Sequence, residues 1–407
     1  MIPAFLKTGR IKPFINERLS DKMKKLFILL AFVPLFSYPQ DSGREDKVVF
    51  NGYIKDMQTF IFQDIKGDWA VANLVHNRLN FKWFAFSTLT ASMELRNRLL
   101  TGNLLIAYPG YNKKFEVDHG IVGLSKNLID QKSWLLNTSI DRLWIQYSTD
   151  RFQVIAGRQR INWGQTFVWN PNDIFNTYSY FDFDYEEKPG SDAIRMQYYT
   201  NPTSVIEFAI KSDSLKKTSF AGLYRFNKWS YDFQIILGMA DQTDILIGAG
   251  WSGQILKGGF RGEATYFHPA KNLKDTAGIF LASMGYDYTF KNSLFFQFEV
   301  LYNGNNQTTI GFSNNPLFDS DMSAKNLFLP DYSMFCSFMY PVTPLVSCSL
   351  AGIGNPKSNL FFIIPSLNIS IKENFELSFT GQILRYTRES ENDRDLNLIF
   401  ARLKYSF

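Results

Sequence analysis

The 407-residue chain is predicted to be all-β. It reads as a single antiparallel transmembrane β-barrel of sixteen to eighteen strands, an up-and-down meander preceded by a signal peptide. Three observations predict this. Apolar and polar residues alternate with period two in run after run, as in strands with two different faces. The breaks between runs switch between tight and long, as in barrels with short turns at one end and loops at the other. And the only long apolar run, Leu26 to Phe36, falls far short of the roughly 20 residues a spanning helix needs.

That apolar run belongs to a targeting signal. Met23-Lys24-Lys25 supplies a positive start, LFILLAFVPLF the apolar stretch, and Ser37 a small residue at its end, the order of a secretory signal. Cleavage is expected after Ser37, with Gln40 as the alternative. Translation is expected to begin at Met23, so that 1–22 is a gene-start artefact, 23–40 the signal peptide and 41–407 the barrel; the alternative is one long positive region before the apolar stretch. No cysteine lies near the cleavage region, which argues against a lipoprotein.

From residue 41 onward the chain is uniform, without linker or low-complexity tract. Strands are expected near 48–62, 76–86, 88–100, 134–148, 151–162, 191–200, 204–211, 218–226, 230–240, 244–254, 259–268, 277–290, 293–304, 331–340, 344–352, 359–371, 375–387 and 395–407. The alternation is explicit in several. His76, Arg78, Asn80 and Lys82 oppose Leu79, Phe81, Trp83 and Ala85. Leu89, Ala91, Met93 and Leu95 oppose Glu94, Arg96 and Arg98. Phe296, Phe298 and Val300 oppose Gln297, Glu299 and Asn303. Tight connections at Asp150, 227–229, 291–292 and 341–343 contrast with the long ones at 63–75, 101–133, 163–190, 305–330 and 388–394. An even number of strands puts both termini on the short-turn side.

A soluble sandwich also alternates. Here the apolar face is aromatic and aliphatic along whole strands, while the polar face carries several charges per strand. That division suits lipid outside and water inside. An open sheet edge in hydrocarbon would leave backbone groups unpaired at several kcal/mol each, so the sheet must close. The composition agrees: 16% aromatic, including 39 Phe and 20 Tyr, with 20% charged and a mean hydropathy of -0.16. The net charge of +5 is scattered, without the basic clusters of a nucleic-acid binder.

The last run, LNLIFARLKYSF, ends on Phe407 with apolar or aromatic residues at alternate positions before it. It resembles the C-terminal strand that outer-membrane barrels present to their insertion machinery. With the signal and the strand pattern, residues 41–407 resemble Gram-negative outer-membrane porin-like proteins. The segment GRQRINWGQTFVWNPNDIFN, Gly157 to Asn176, is similar to a segment in porin-like families of Bacteroidota-type bacteria. The resemblance implies a bacterial outer-membrane barrel, lipid and lipopolysaccharide around it, the insertion machinery as a partner, and a channel. It implies no substrate.

Candidate functional residues follow from the alternation. With the polar face inward, the pore lining is expected to include Arg78, Lys82, Glu94, Arg96, Arg98, Arg142, Arg158, Arg160, Arg195, Glu207, Arg261, Glu263, Arg402 and Lys404. Bases outnumber acids in this set. An electropositive wall in a low-dielectric surround eases the passage of anions, so the expectation is diffusion of small hydrophilic solutes, anions among them. The alternatives are that the charges pair with one another and merely fill the barrel, and that the chain is a non-conducting barrel for surface binding or envelope assembly through its long loops. The 163–190 loop holds Trp163, Gln165, Trp169, Asn170, Asn172 and Asp173, aromatics beside amides that suit either a constriction folded into the pore or a site for a sugar-like ring. An ordinary surface loop remains the plainer alternative. The acids Asp182, Asp184, Glu186, Glu187 and Asp192 are spaced for a solvated acidic stretch rather than a calcium loop. The three histidines, His76, His119 and His268, accompany no nucleophile-and-base motif, and no enzyme activity, metal or cofactor is expected. Cys336 and Cys348 flank the turn at Pro341–Pro344 and are expected to be two separate thiols; a cross-strand disulfide is the alternative.

Overall fold

The computed structural model describes residues 47–108, 110–177, 190–271, 277–305, 323–328, 331–388 and 391–407. Residues 1–46, where the signal peptide is expected, and the acids at 182–187 lie outside the described residues.

The strands are β1 Val48–Phe62, β2 Ala70–Phe86, β3 Leu89–Gly102, β4 Ser125–Asp130, β5 Trp134–Ser148, β6 Phe152–Gln159, β7 Ser191–Asn201, β8 Ser204–Ser212, β9 Thr218–Lys228 and β10 Tyr231–Ala240. They continue as β11 Asp244–Ile255, β12 Gly258–Pro269, β13 Ile279–Thr289, β14 Phe295–Asn303, β15 Asp331–Thr343, β16 Val346–Asn355, β17 Leu360–Lys372, β18 Phe375–Arg388 and β19 Glu391–Ser406. All nineteen belong to one antiparallel sheet, closed by pairing of β1 with β19. Leaving out β4, eighteen of them form the meander expected from the alternation. The closing seam ends on reciprocal backbone bonds of 2.9 Å each way between Gly52 and Phe407.

Turn chemistry fixes the polarity of the barrel. At the end that carries both termini the connections are tight. The two-residue turns Trp229–Ser230 and Leu256–Lys257 hold both residues at positive φ, 54° and 63° in the first and 50° and 66° in the second. This is the primed geometry that follows the right-handed twist of a hairpin. The long connections all lie at the other end.

The outer face is apolar and exposed: Ile145 is 49% accessible, Ile247 53%, Phe208 54% and Leu237 59%. Near the short-turn end it carries Phe81, Trp83, Tyr147, Tyr198 and Tyr224, an aromatic girdle where hydrocarbon meets headgroups. Water would not tolerate such a surface on every strand; lipid does. No helix among the described residues is long and apolar enough to cross a membrane. Cys336 and Cys348 are free thiols. Cys336 registers with Gly352, and Cys348 with Tyr340, so the two do not face each other across the hairpin.

One strand was not foreseen. β6 stops at Gln159 because the chain there leaves the wall and turns inward. The upper part of β5 is then paired on that side by β4, with Ser125 opposite Ser139 and Asp130 opposite Leu135. The 103–133 connection thus repairs the wall where β6 is too short.

Candidate functional site

The segment from Arg160 to Thr177 runs inside the barrel. Its apolar side chains are packed away: Ile161 0% exposed, Trp163 1%, Val168 3% and Trp169 3%. They meet inward residues of many strands in one cluster, among them Leu223, Ile236, Leu246, Phe267, Leu281 and Phe335. Trp163 stands edge-on to Phe175, with ring centroids 4.9 Å apart.

Three glutamates on the barrel wall hold this segment. Glu207 on β8 accepts from the Trp163 indole N–H and forms a bidentate pair with Arg195, at 2.7 and 2.8 Å. Glu263 on β12 accepts from the Thr166 hydroxyl and, at 3.3 Å, from the Gln165 N–H. Glu299 on β14 accepts the backbone N–H groups of Phe167 at 2.9 Å, Val168 at 3.1 Å and Trp169 at 2.8 Å, and the Ser283 hydroxyl at 3.0 Å. A turn buried away from water has to find acceptors for its N–H groups, and Glu299 supplies them to three consecutive residues.

The wall is shaped to admit the segment. Gly248 and Gly250 on β11 face inward, and a Cβ at Gly248 would lie 2.8 Å from the Asn172 Oδ1. Asn172 occupies the space so left, donating to the Ala249 carbonyl at 3.0 Å and accepting from Thr265 at 2.7 Å. Gln234 donates to the Trp163 carbonyl at 2.7 Å. Arg261 packs over the Phe167 ring at 3.8 Å while pairing with Asp287 at 2.6 Å. Asn170 lies buried beside Thr166, and Asp173 is 1% exposed. Gln165 also reaches the wall, its Oε1 2.9 Å from where a Gly250 Cβ would lie. All six loop residues singled out in the sequence therefore lie within the barrel.

Arg158, the penultimate residue of β6, ties the repaired wall together. It pairs with Asp192 and with Asp118, each at 2.7 Å, and donates to the Val122 carbonyl at 2.7 Å. Burial pushes the Asp118 carboxyl up, but the Arg158 hydrogen bond and the Gly120 and Leu124 N–H groups outweigh it and hold Asp118 below the usual carboxylate value. Arg160 is half-buried where the segment turns inward.

The opposite wall carries the other basic residues. Arg78 is fully buried, paired with Glu94 and, at 2.6 Å, with Asp141; Arg96 meets the same Asp141 at 2.9 Å. Arg98 donates to Asn137 at 2.9 Å. Arg142 is buried, and Lys82 lies toward the short-turn end with its Nζ 4.9 Å from the Phe84 ring. Arg402 pairs with Glu376 at 3.3 Å, and the Lys404 Nζ stands 4.7 Å over the Tyr53 ring. His76, His119 and His268 lie on β2, in the 103–133 connection and on β12.

Sequence reasoning passed over Asp141, Asp118 and the anchoring part of Glu299. Asp141 is out of phase: the pairing of β3 with β5 slips between Glu94 and Leu95, and this bulge turns both Asp141 and Arg142 inward. A bulge shifts the alternation by one residue, so a strict period-two reading assigns Asp141 to the wrong face. Glu299 sits on the polar face of its strand, which was readable; its partners are backbone groups from a distant loop, which were not.

Between the inserted segment, the 103–133 connection and the β1–β3 wall remains a cavity of about 710 Å³ at the loop end. Its charged lining is balanced, with Arg96, Arg98, Arg158, Lys211 and Lys325 beside Asp118, Asp141, Asp192, Asp213 and Asp241. Met57, Leu74, Leu100 and Phe400 form an apolar part of the same lining.

A closed barrel of eighteen strands with an apolar exterior, tight turns at one end and a long loop folded into its interior is a transmembrane barrel of the porin kind. No family model and no curated protein sequence matches the chain. Solved structures do. OccAB4 of Acinetobacter baumannii superposes with a TM-score of 0.53 at 9% identity, covering 90% of this chain and 100% of that one. OccK2 (OpdF) of Pseudomonas aeruginosa gives 0.56 at 7% identity, over 88% and 98%, and OccAB2 of A. baumannii 0.56 at 8%, over 88% and 98%. These are outer-membrane porins. At such identities the likeness shows the fold.

Proposed function

We propose that this protein is a bacterial outer-membrane channel that passes small hydrophilic solutes by diffusion, with a preference for anions. The observation that supports it best is the cavity inside the closed barrel, bounded by charged side chains from both walls and narrowed by the segment 160–177. In this reading the inserted segment sets the constriction. Lys82, Arg96, Arg98, Arg142, Arg402 and Lys404 line the side left open, with Glu94 among them, and Arg78, fully buried, braces that wall through Glu94 and Asp141. Arg158, Arg160, Arg195, Arg261, Glu207 and Glu263 support the segment and the wall around it. Lipid and lipopolysaccharide surround the barrel, and the insertion machinery reads the strand ending in Phe407. The narrower kinship, to porin-like proteins of Bacteroidota-type bacteria, rests on Gly157 to Asn176.

Planar bilayers test this. Purified protein should give discrete conductance steps, and a salt gradient should give a reversal potential of the sign that marks anion preference. Absence of steps at every voltage would refute the channel; a cation-selective reversal potential would refute the preference. A second reading, a non-conducting barrel for surface binding or envelope assembly, draws on the apolar packing that fills much of the β8–β18 side. Loss of a cellular phenotype on trimming the 103–133 connection, in a barrel that never conducts, would favour it.

A further inference from the structure

On the lipid-facing side, register sets Met196, Phe208, Gly222, Leu237 and Ile247 in one row across β7 to β11. The others are large and apolar; at Gly222 the row is interrupted down to the backbone. Phe208 leans over the gap, so that a Cβ at Gly222 would lie 2.9 Å from its ring. The gap opens into a groove of about 650 Å³, whose walls include Phe208, Phe220, Tyr224, Ile235 and Leu237. Strands β8 and β10, on either side of β9, stand about 10 Å apart. That is the whole width of a helix with its side chains, and the flanking side chains narrow it further, so the groove fits a hydrocarbon chain.

From Gly222 the outward face of β9 runs through Tyr224 and Phe226 to Lys228, six residues on. The rings along it are stacked, Tyr224 on Phe226 at 5.3 Å and Phe226 on Phe233 of β10 at 5.7 Å between centroids. The strip ends at a hairpin tip, where the Lys228 Nζ lies 4.4 Å from the ring of Trp229, itself 77% exposed. The tip of the neighbouring hairpin carries Lys257 beside Leu256, 84% exposed. Six strand residues span about 20 Å, which at a strand tilt of about 40° is about 15 Å across the membrane. One leaflet of hydrocarbon is also about 15 Å thick, half of the roughly 30 Å core. The short-turn end of such a barrel faces the periplasm. The lysines therefore stand at the headgroup level of the periplasmic leaflet, and the groove lies at the depth its acyl tails reach.

We propose that this face binds one anionic phospholipid of the periplasmic leaflet, with an acyl chain in the groove over Gly222 and the phosphate at Lys228 and Lys257. The site stands whether or not the barrel conducts. A chain laid in the groove gains close dispersion contacts on three sides, and this gain is indifferent to the headgroup. The lysines select by charge, at about fivefold in affinity for each base near the membrane surface. They also decide the occupant. A second copy, turned about an axis along the membrane normal, would bring its own Lys228 and Lys257 to the same level, whereas a phosphate neutralises the pair.

The test uses the full barrel, stripped of lipid in detergent and titrated with phosphatidylglycerol or phosphatidylethanolamine of identical chains. Native mass spectrometry counts the bound lipid. One phosphatidylglycerol should bind with an affinity at least fivefold above that of phosphatidylethanolamine. Lys228→Gln with Lys257→Gln, both at exposed hairpin tips, should bring the two lipids within twofold of each other. Gly222→Leu, checked for folding by heat-modifiable gel mobility, should weaken both lipids at least fivefold and leave their ratio unchanged. Equal binding of the two lipids by the unaltered protein would overturn the proposal. So would an unchanged preference in the lysine variant, a result that does not depend on Gly222→Leu folding. A dimer in place of the lipid-bound monomer, lost on Gly222→Leu, would give the groove to a second copy and overturn it as well.

Discussion

Replacing Glu299 with Ala should detach the tip of the inserted segment from the barrel wall. Its carboxylate accepts from three consecutive backbone N–H groups, Phe167, Val168 and Trp169, and from the Ser283 hydroxyl. All three N–H groups lose their acceptor in the variant. A buried donor left without a partner costs about 1–3 kcal/mol, so the loss of all three weakens the seated arrangement by about 3–9 kcal/mol. At about 1.4 kcal/mol per factor of ten, the balance between seated and released tip moves by about two to six orders of magnitude. Glu207 and Glu263 still hold the flanks, so the effect is local and the barrel survives. The assay is the rate at which an impermeant thiol reagent labels Val168→Cys, a position 3% exposed, in a background where Cys336 and Cys348 are Ser. Labelling should accelerate at least a hundredfold on adding Glu299→Ala, and single-channel conductance should rise. An unchanged labelling rate would mean that Glu299 does not hold the segment.

The wall on the other side of the segment gives a matching test. Gly248→Val puts a side chain where Asn172 sits, its Cβ about 2.8 Å from the Asn172 Oδ1, and should unseat Asn172 at about 1–3 kcal/mol, seen as faster labelling at Val168→Cys. Arg158→Gln leaves Asp118 and Asp192 without their ion pairs at sites 12% and 13% exposed; a loss of about 3–5 kcal/mol should speed tryptic cleavage at the exposed Lys126 more than tenfold. Because Asp118 sits below the usual carboxylate value of 3.8, its contribution is complete above that value and is lost as pH falls through the lowered one. Hydrogen exchange of 117–124 should therefore stay slow down to about pH 4 and accelerate below it, whereas acceleration already at pH 6 would refute the assignment. Outside the barrel, Ile247→Arg should cost about 2–4 kcal/mol in lipid, read as a lower folded fraction on a heat-modifiable gel, while Ile247→Leu should not.

How much of this was legible in the sequence follows from where each interaction lies along the chain. The barrel was readable because its cause is local: alternate residues on one strand face either lipid or the interior, and that alternation is written two residues at a time. Every strand of the closed meander could be placed this way. β4 could not, since it is a strand only because β6 ends early and leaves the top of β5 without a partner. Why β6 ends early is also not local. Gln159 is followed by a segment whose seat is built by Glu207, Gly248, Glu263 and Glu299, from 48 to 140 residues further on. The aromatics and amides at 163–176 read as a constriction or a sugar-like site beside the plainer alternative of a surface loop; that they are apolar anchors packed inside the barrel needed the wall opposite. Asp141 was hidden by its bulge, which reverses the alternation for the one residue that joins Arg78 to Arg96.

The asymmetry of the interior constrains any path through it. On the β7–β14 side the inward charges are engaged in holding structure: Arg195 by Glu207, Arg261 by Asp287 and the Phe167 ring, and Glu263 and Glu299 by the inserted segment. A solute on that side would have to displace buried tryptophans. On the β19–β5 side no inserted segment among the described residues covers the wall below the 103–133 connection, and the basic residues stand there in successive rows. We therefore expect solute to travel along the β19–β5 wall, and the two halves to respond differently to substitution. Arg402→Gln and Lys82→Gln should shift ion selectivity by removing charge beside the path. Arg195→Gln should instead loosen the inserted segment, because Glu207, 3% exposed, would be left with only neutral donors. Reversal potentials for the first pair and thiol accessibility at Val168→Cys for the second separate the two effects; equal changes in selectivity from both halves would show that the path is not confined to one wall.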